Sequence, residues 1–165
     1  MADALKVVPE TDKVKTGVRD IDSIAKALEG VLSDTYKMVF KTHAYHWNVE
    51  GPMFFGVHKL TEEQYEEMFA AADVLAERIR ALGRMAPIGL QSMVDGSAIK
   101  DATKLPSAGE MCADLAQDHE RLSQRLHALI QTAEKGNDPV TADLATARSA
   151  FHEQAAWMLR ALSKS

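Results

Sequence analysis

Four stretches of apolar residues, recurring at three- and four-residue steps and the first three closed by glycine or proline, commit this chain to a set of long amphipathic helices. The first begins near Asp20 and runs through Ile21, Ile24, Leu28, Val31, Leu32 and Val39, until Gly51-Pro52 stops it at about Asn48. The second carries Phe54, Val57, Leu60, Tyr65, Phe69, Ala72, Leu75 and Ile79 and ends at Leu82-Gly83. Ser107 followed by Glu110 makes a capping box for the third, whose Met111, Leu115, Leu122, Leu126, Leu129 and Ile130 continue to Lys135-Gly136. Asp138 as N-cap and Pro139 in the first turn open the fourth, with Leu144, Phe151, Ala155, Trp157, Met158, Leu159 and Leu162. Residues 84–106 hold Pro87, Gly89, Gly96 and Pro106, too much punctuation for a long helix but room for a short one. Helices of roughly 25 residues, joined by short loops and one long central connection, predict an all-α four-helix bundle with a long crossover between its second and third helices.

The rest of the composition narrows the chemistry. The longest run free of Asp, Glu, Lys and Arg is the ten residues Met85–Val94, about half of what a membrane-spanning helix needs. The N-terminus lacks a basic start followed by an apolar stretch, so a cytoplasmic protein is expected. A single cysteine, Cys112, excludes an internal disulfide, a four-thiolate zinc site and an iron–sulfur cluster held by one chain; any metal must bind through His, Asp or Glu. Cys112 itself, flanked by Met111 and Ala113, reads as a small buried hydrophobe, and the eight Met residues as core filler. The net charge of −5 disfavours broad contact with polyanions and suits the collection of cations.

On this helical framework, His46 near the end of the first helix and His58, Glu62, Asp73 and Glu77 on the second interrupt the core pattern. His58 to Glu62 and Asp73 to Glu77 are both i,i+4, and the 11 steps from Glu62 to Asp73 rotate the helix by a net of only about 20°, so all four share one stripe. Charged stripes are commonly solvated faces. Imidazoles with carboxylates are also a ligand set suited to iron, manganese or zinc. Glu62 and Asp73 lie about 16 Å apart along the helix, too far to serve one centre in one chain. A two-fold axis crossing the second helix near residues 67 and 68 would bring Glu62 of one copy to Asp73 of an antiparallel second copy. Each centre would then take His46, His58 and Glu62 from one subunit and Asp73 and Glu77 from the other. A di-iron site inside one bundle would use Glu-x-x-His pairs, and no histidine here has Glu three residues before it.

The run His46-Trp47-Asn48-Val49-Glu50-Gly51-Pro52, with His58, Glu62, Asp73 and Ala76-Glu77-Arg78-Ile79 at these spacings, resembles the Dps miniferritin family, ferritin-like proteins first known for protecting DNA in starved cells. The resemblance extends over about residues 20–163, including Asp118-His119-Glu120 and Thr141-Ala142-Asp143. It implies a ferritin-like bundle that assembles into a hollow homo-dodecamer, oxidises Fe(II) at two-fold interfaces with hydrogen peroxide as preferred oxidant, and stores ferric mineral inside against oxidative stress. Carried over by position, His46 and His58 match the histidine ligands, Asp73 and Glu77 the carboxylates, and Glu62 stands where the family usually has Asp. Zinc is the expected competitor for the site. Trp47 lies where the family shields the centre or intercepts stray oxidising equivalents. Asp138 and Asp143 fall in the region lining the family's three-fold channels, although Asp138 has a ready role as an N-cap. His43 matches no ligand and is expected to pack or meet solvent; His119, His127 and His152 read as surface or interhelix hydrogen-bonding residues.

Residues 1–16 show no sustained apolar period and are expected to form a flexible tail before a bundle domain spanning 17–165. Many members of the family coat DNA through lysine-rich tails, which would add nucleoid association. Here residues 1–22 carry Lys6, Lys13, Lys15 and Arg19 against Asp3, Glu10, Asp12, Asp20 and Asp22. A DNA-compacting protein with a minor iron role is therefore the alternative and not the leading expectation.

Overall fold

The computed structural model describes residues 4–164, and every regular element among them is helical. Four long helices, α1 (Ile21–Asn48), α2 (Phe54–Ala81), α4 (Ala108–Lys135) and α5 (Pro139–Leu162), form the bundle, and α3 (Leu90–Gly96) is the short helix of the crossover. A single 3-10 turn, Ala4–Lys6, precedes them. At 1.5 Å per residue the 28 residues of α1, α2 and α4 each make a rod about 42 Å long. Their inward stripes interlock as one core that includes Ile24, Leu28, Met68, Leu75, Leu122 and Leu126, all fully buried. Cys112 lies in it as expected, its thiol pushed up by burial. No described helix is long and apolar enough to cross a membrane.

Local chemistry sets the boundaries. The Ser107–Glu110 capping box is formed in both directions, with Glu110 N donating to Ser107 Oγ at 3.3 Å and Ser107 N to Glu110 Oε2 at 2.7 Å. Gly83, at φ +78°, closes α2 in a left-handed turn in which Gly83 N donates to Arg80 O and Arg84 N to Ile79 O. The same turn ends α4 at Lys135, as expected: Asn137, at φ +57°, takes the left-handed position, and Asp138 N donates to Ala133 O. Gly136 is needed for a different reason. A Cβ there would sit 2.6 Å from both Arg19 O and Ile24 Cδ1, and Arg19 N donates to Gly136 O at 2.7 Å. The chain entering α1 is thus hydrogen-bonded to the end of α4. Val14 N likewise donates to Ala81 O at 3.1 Å, and Arg80 donates to Glu10 O at 3.2 Å. Residues 1–3, the start of the expected tail, lie outside the described residues.

Buried polar contacts between helices fix the register. Asp34 accepts from Ser97 Oγ, Ala98 N and Arg125, pinning the crossover to α1 and α4. Lys41, buried on α1, is 2.6 Å from both Asp114 and Asp118 of α4. His119 and His152, instead of facing solvent, are buried and joined Nδ1 to Nδ1 at 2.8 Å across α4 and α5. Burial, with the charge of Arg148 adding to it, pushes His119 down to about 3 and His152 well below its usual value, so the pair is neutral. His127 is exposed and 3.2 Å from Glu153.

Candidate metal centre

The turn between α1 and α2 carries the functional geometry. By folding the two helices back antiparallel it brings His46 and His58, twelve residues apart, into mutual contact, and each ring uses the other's backbone. His46 Nδ1 donates to His58 O at 2.8 Å and His58 Nδ1 donates to His46 O at 2.9 Å. A carbonyl can only accept, so both Nδ1 atoms carry hydrogen, and in the neutral imidazoles both Nε2 lone pairs are left for a metal. The rings stack with centroids 3.7 Å apart and 17° between planes. Thr61 Oγ1 sits 3.5 Å from His46 Nδ1 while donating to Val57 O, which packs α2 tightly beneath the pair.

Glu62, one turn beyond His58, has its carboxylate held by Lys59 Nζ at 2.5 Å. That hydrogen bond, reinforced by the charge of Lys59, lowers its pKa below the usual carboxylate value. Glu62 thus stands one turn from His58 on α2, and among the described residues it does not close a three-ligand site with the histidine pair. Asp73 and Glu77 are exposed on the same helix and do not join them. Their distance follows from the helix itself, about 16 Å from Glu62 to Asp73. Among the described residues, no group of three or more His, Cys, Asp or Glu in one chain closes a metal site.

Aromatic rings wall the site. Tyr65 stacks on His43 at 4.2 Å and meets His46 edge-on at 5.3 Å. Phe54 stacks on His58 at 4.9 Å. Trp47, next to His46 in the chain and 59% exposed, has its ring 4.1 Å from that of His43. His43 packs, as expected. Lys59 and Tyr65 were not anticipated as neighbours of the site, yet both were legible. Lys59 is i,i+3 from Glu62, and Tyr65 is seven residues from His58, two turns along the same stripe. Asp138 is fully buried: it accepts from Thr141 N at 3.0 Å and Thr141 Oγ1 at 2.5 Å, and Arg78 donates to it at 2.6 Å. Burial would raise its pKa, but these hydrogen bonds outweigh that effect and hold the carboxyl low. Its carboxylate is committed to capping α5 and to Arg78, whereas Asp143 is exposed.

Comparison with known proteins places this bundle in a class. A ferritin-like domain model matches residues 25–164. The chain is 39% identical over 153 residues to a low temperature-induced protein of Nostoc sp., covering 91% of this chain and 82% of that one. It is 33% identical over 148 residues to the DNA protection during starvation protein of Brevibacillus brevis, covering 90% and 98%. The crystal structure of Dps from Staphylococcus aureus superposes with a TM-score of 0.84 at 30% identity, over 88% of this chain and 97% of that one. The molecule is a ferritin-like four-helix bundle. Within that class, the chain belongs to the Dps family.

Proposed function

We propose that the protein is a miniferritin subunit that oxidises Fe(II) at centres shared between two copies of the chain and stores the ferric product inside a dodecameric shell. The observation that carries this reading is the reciprocal His46–His58 arrangement. It spends both Nδ1 atoms on backbone carbonyls and presents two Nε2 donors beside Glu62, while the remaining carboxylates, Asp73 and Glu77, lie too far along α2 to reach them. A second copy, antiparallel across α2, supplies what one chain lacks. The same side of the subunit is apolar and open: a cavity of about 570 Å³ between α1, α2 and α3 is lined by Tyr36, Val39, Phe40, Phe69, Leu90 and Met93. Phe40 and Phe69 are 62% and 59% exposed, which suits burial against a partner subunit.

Fe(II) is the substrate. His46 and His58 bind it through Nε2, and Glu62 with the partner copy's carboxylates favours the ferric state, lowering the potential of the bound iron. Two Fe(II) give one electron each to hydrogen peroxide, which with two protons becomes two waters; paired delivery releases no hydroxyl radical. Glu62, one methylene longer than the Asp usual in the family, has to leave Lys59 to reach the metal. Zn(II), bound by the same neutral imidazoles and carboxylates but not oxidisable, is a competitor. Trp47, set against His43 at the mouth of the site, is placed to protect it from stray oxidising equivalents. Asp143 is the exposed carboxylate offered to an entry channel.

The test is anaerobic loading with Fe(II), then peroxide, following ferric absorbance. The wild type shows a fast phase, and the double variant His46→Ala, His58→Ala loses it; an unchanged fast phase in the variant rules the centre out. DNA protection, the role in the names of several relatives, is the second reading. It is tested by retardation of DNA at low salt, expected to be weak given the balanced charges of residues 1–22, and to be unaffected by deleting residues 1–16. Strong retardation that is lost on the deletion would reverse the ranking.

A further inference from the structure

Midway along the bundle, one slab of the core is polar, and its polar atoms lack protein partners. Thr42 Oγ1, Gln64 Nε2 and Oε1, and His119 Nε2 are all buried without a hydrogen bond. The residues are 0%, 3% and 0% exposed. They come from α1, α2 and α4, and the contacts between helices set them at one level. His43 stacks on Tyr65, so Thr42 and Gln64 are neighbours across α1 and α2. Lys41 pairs with Asp118 in the antiparallel register of α1 and α4, which puts Thr42 level with Gln117 and within about 3 Å along the axis of His119. His119 is bonded to His152 of α5, and Gln64 shares a groove with Phe151 and Ala155, the residues on either side of that histidine.

We propose that this slab is an internal hydration site, in which one or two water molecules bridge Thr42, Gln64 and His119 at the centre of the bundle. Four stranded polar atoms in a dry core would each carry a desolvation penalty of about 1–3 kcal/mol, and native interiors meet such groups with ordered water. Water suits this donor set because the set is mixed. Gln64 offers both a donor and an acceptor, Thr42 a hydroxyl, and His119 whichever role its bond to His152 leaves to Nε2.

A metal ion does not suit it. Among the described residues the nearby carboxylates are already paired: Asp118 of α4 is bound by Lys41 and Arg121, and Glu67 of α2 is clamped by the bidentate guanidinium of Arg148. Glu63 lines only the outer groove and is exposed. Arg148 of α5 places its positive charge close enough to depress both histidines. The bundle centre, where a ferritin-like fold could hold metal within one chain, is here neutral, cation-repelling and wet. Iron chemistry is left to the subunit boundary.

Two measurements on the full-length assembled protein test this. A crystal structure at a resolution that shows ordered water is expected to hold density within hydrogen-bond distance of at least two of Thr42 Oγ1, the Gln64 amide and His119 Nε2. Direct bonding of Gln64 to His119 with no density between them overturns the proposal, and so does anomalous density for iron in that place after soaking. In denaturant unfolding, Thr42→Val and Gln64→Met should each lower the midpoint, and together lower it by clearly less than the sum of the two shifts, because both remove the same bridged water. Strict additivity refutes the bridge.

Discussion

If each centre takes imidazoles from one chain and carboxylates from another, two individually dead variants should restore activity when assembled together. Chains carrying His46→Ala and His58→Ala retain intact Asp73 and Glu77; chains carrying Asp73→Ala and Glu77→Ala retain intact His46, His58 and Glu62. A homodimer of either has two broken centres. A mixed dimer concentrates all four substitutions in one centre and leaves the other entirely wild type. Random pairing at equal amounts makes half of the dimers mixed, and half of their centres are intact, so about one quarter of the wild-type fast-phase amplitude is expected. The assay is dissociation and co-refolding, or co-expression with two tags, followed by the Fe(II)–peroxide experiment, with light scattering to confirm assembly. Asp73 and Glu77 are exposed, and His46, although buried, lies with the half-buried His58 near the α1–α2 turn and outside the apolar core, so both variants should fold. Recovery to one quarter cannot arise from a site contained within one chain, which would leave every mixture as inactive as its parents. An inactive co-assembled mixture would refute the shared centre.

Three further outcomes follow from the structure. His119, pushed down to about 3 from 6.5 by burial, contributes stability that is full above pH 6.5 and falls as pH drops towards 3, by about 1.4 kcal/mol per pH unit. Unfolding free energies measured from pH 7 to pH 4 should fall less steeply in a His119→Leu, His152→Leu variant, and parallel slopes would show that the pair does not bury neutral. Asp138→Ala removes the cap of α5 and strands the largely buried Arg78, a loss of about 3–5 kcal/mol in denaturant titration; a change under 1 kcal/mol would mean that Arg78 finds water. Lys59→Ala frees the Glu62 carboxylate from its ammonium partner, so Zn(II) should bind the assembled protein more tightly by calorimetry, and unchanged affinity would remove Lys59 as a competitor.

The helices were legible because their signals are local. Apolar spacing, the Ser107–Glu110 box and the Gly51-Pro52, Gly83 and Asp138-Pro139 punctuation act within one or two turns, and the observed ends fall within about two residues of them. The stripe of His58, Glu62, Asp73 and Glu77 was legible for the same reason, since a helix fixes angular position from sequence spacing alone. What depended on a second helix was not legible. Nothing within α4 shows that His119 will meet His152 and be buried neutral, or that Asp34 of α1 will pin the crossover through Ser97 and Ala98. Nor does the sequence of α4 show that Asn137 will take the left-handed position while Gly136 is held for the close approach of Arg19. Tyr65 read as core from its period, but its ring lies on His43 at the edge of the site.

The reciprocal bonds of His46 and His58 also bear on when the centre becomes active. Each imidazole is oriented by the backbone of the other, so the ligand pair is complete as soon as α1 and α2 dock, without metal and without a second subunit. Asp73 and Glu77, by contrast, are exposed on an isolated chain, and on the proposed reading they gain their role when an antiparallel copy covers the apolar face around Phe40 and Phe69. A lone subunit thus offers two imidazoles and one carboxylate already paired with Lys59, a set poor in negative charge to hold Fe(II). Assembly adds two carboxylates to rings that are already fixed, and the added negative charge both binds the ion and favours its ferric state. On the proposed reading, oxidation is therefore gated by dimerisation. The order is useful, because iron oxidised on an unassembled chain would have no cavity to enter.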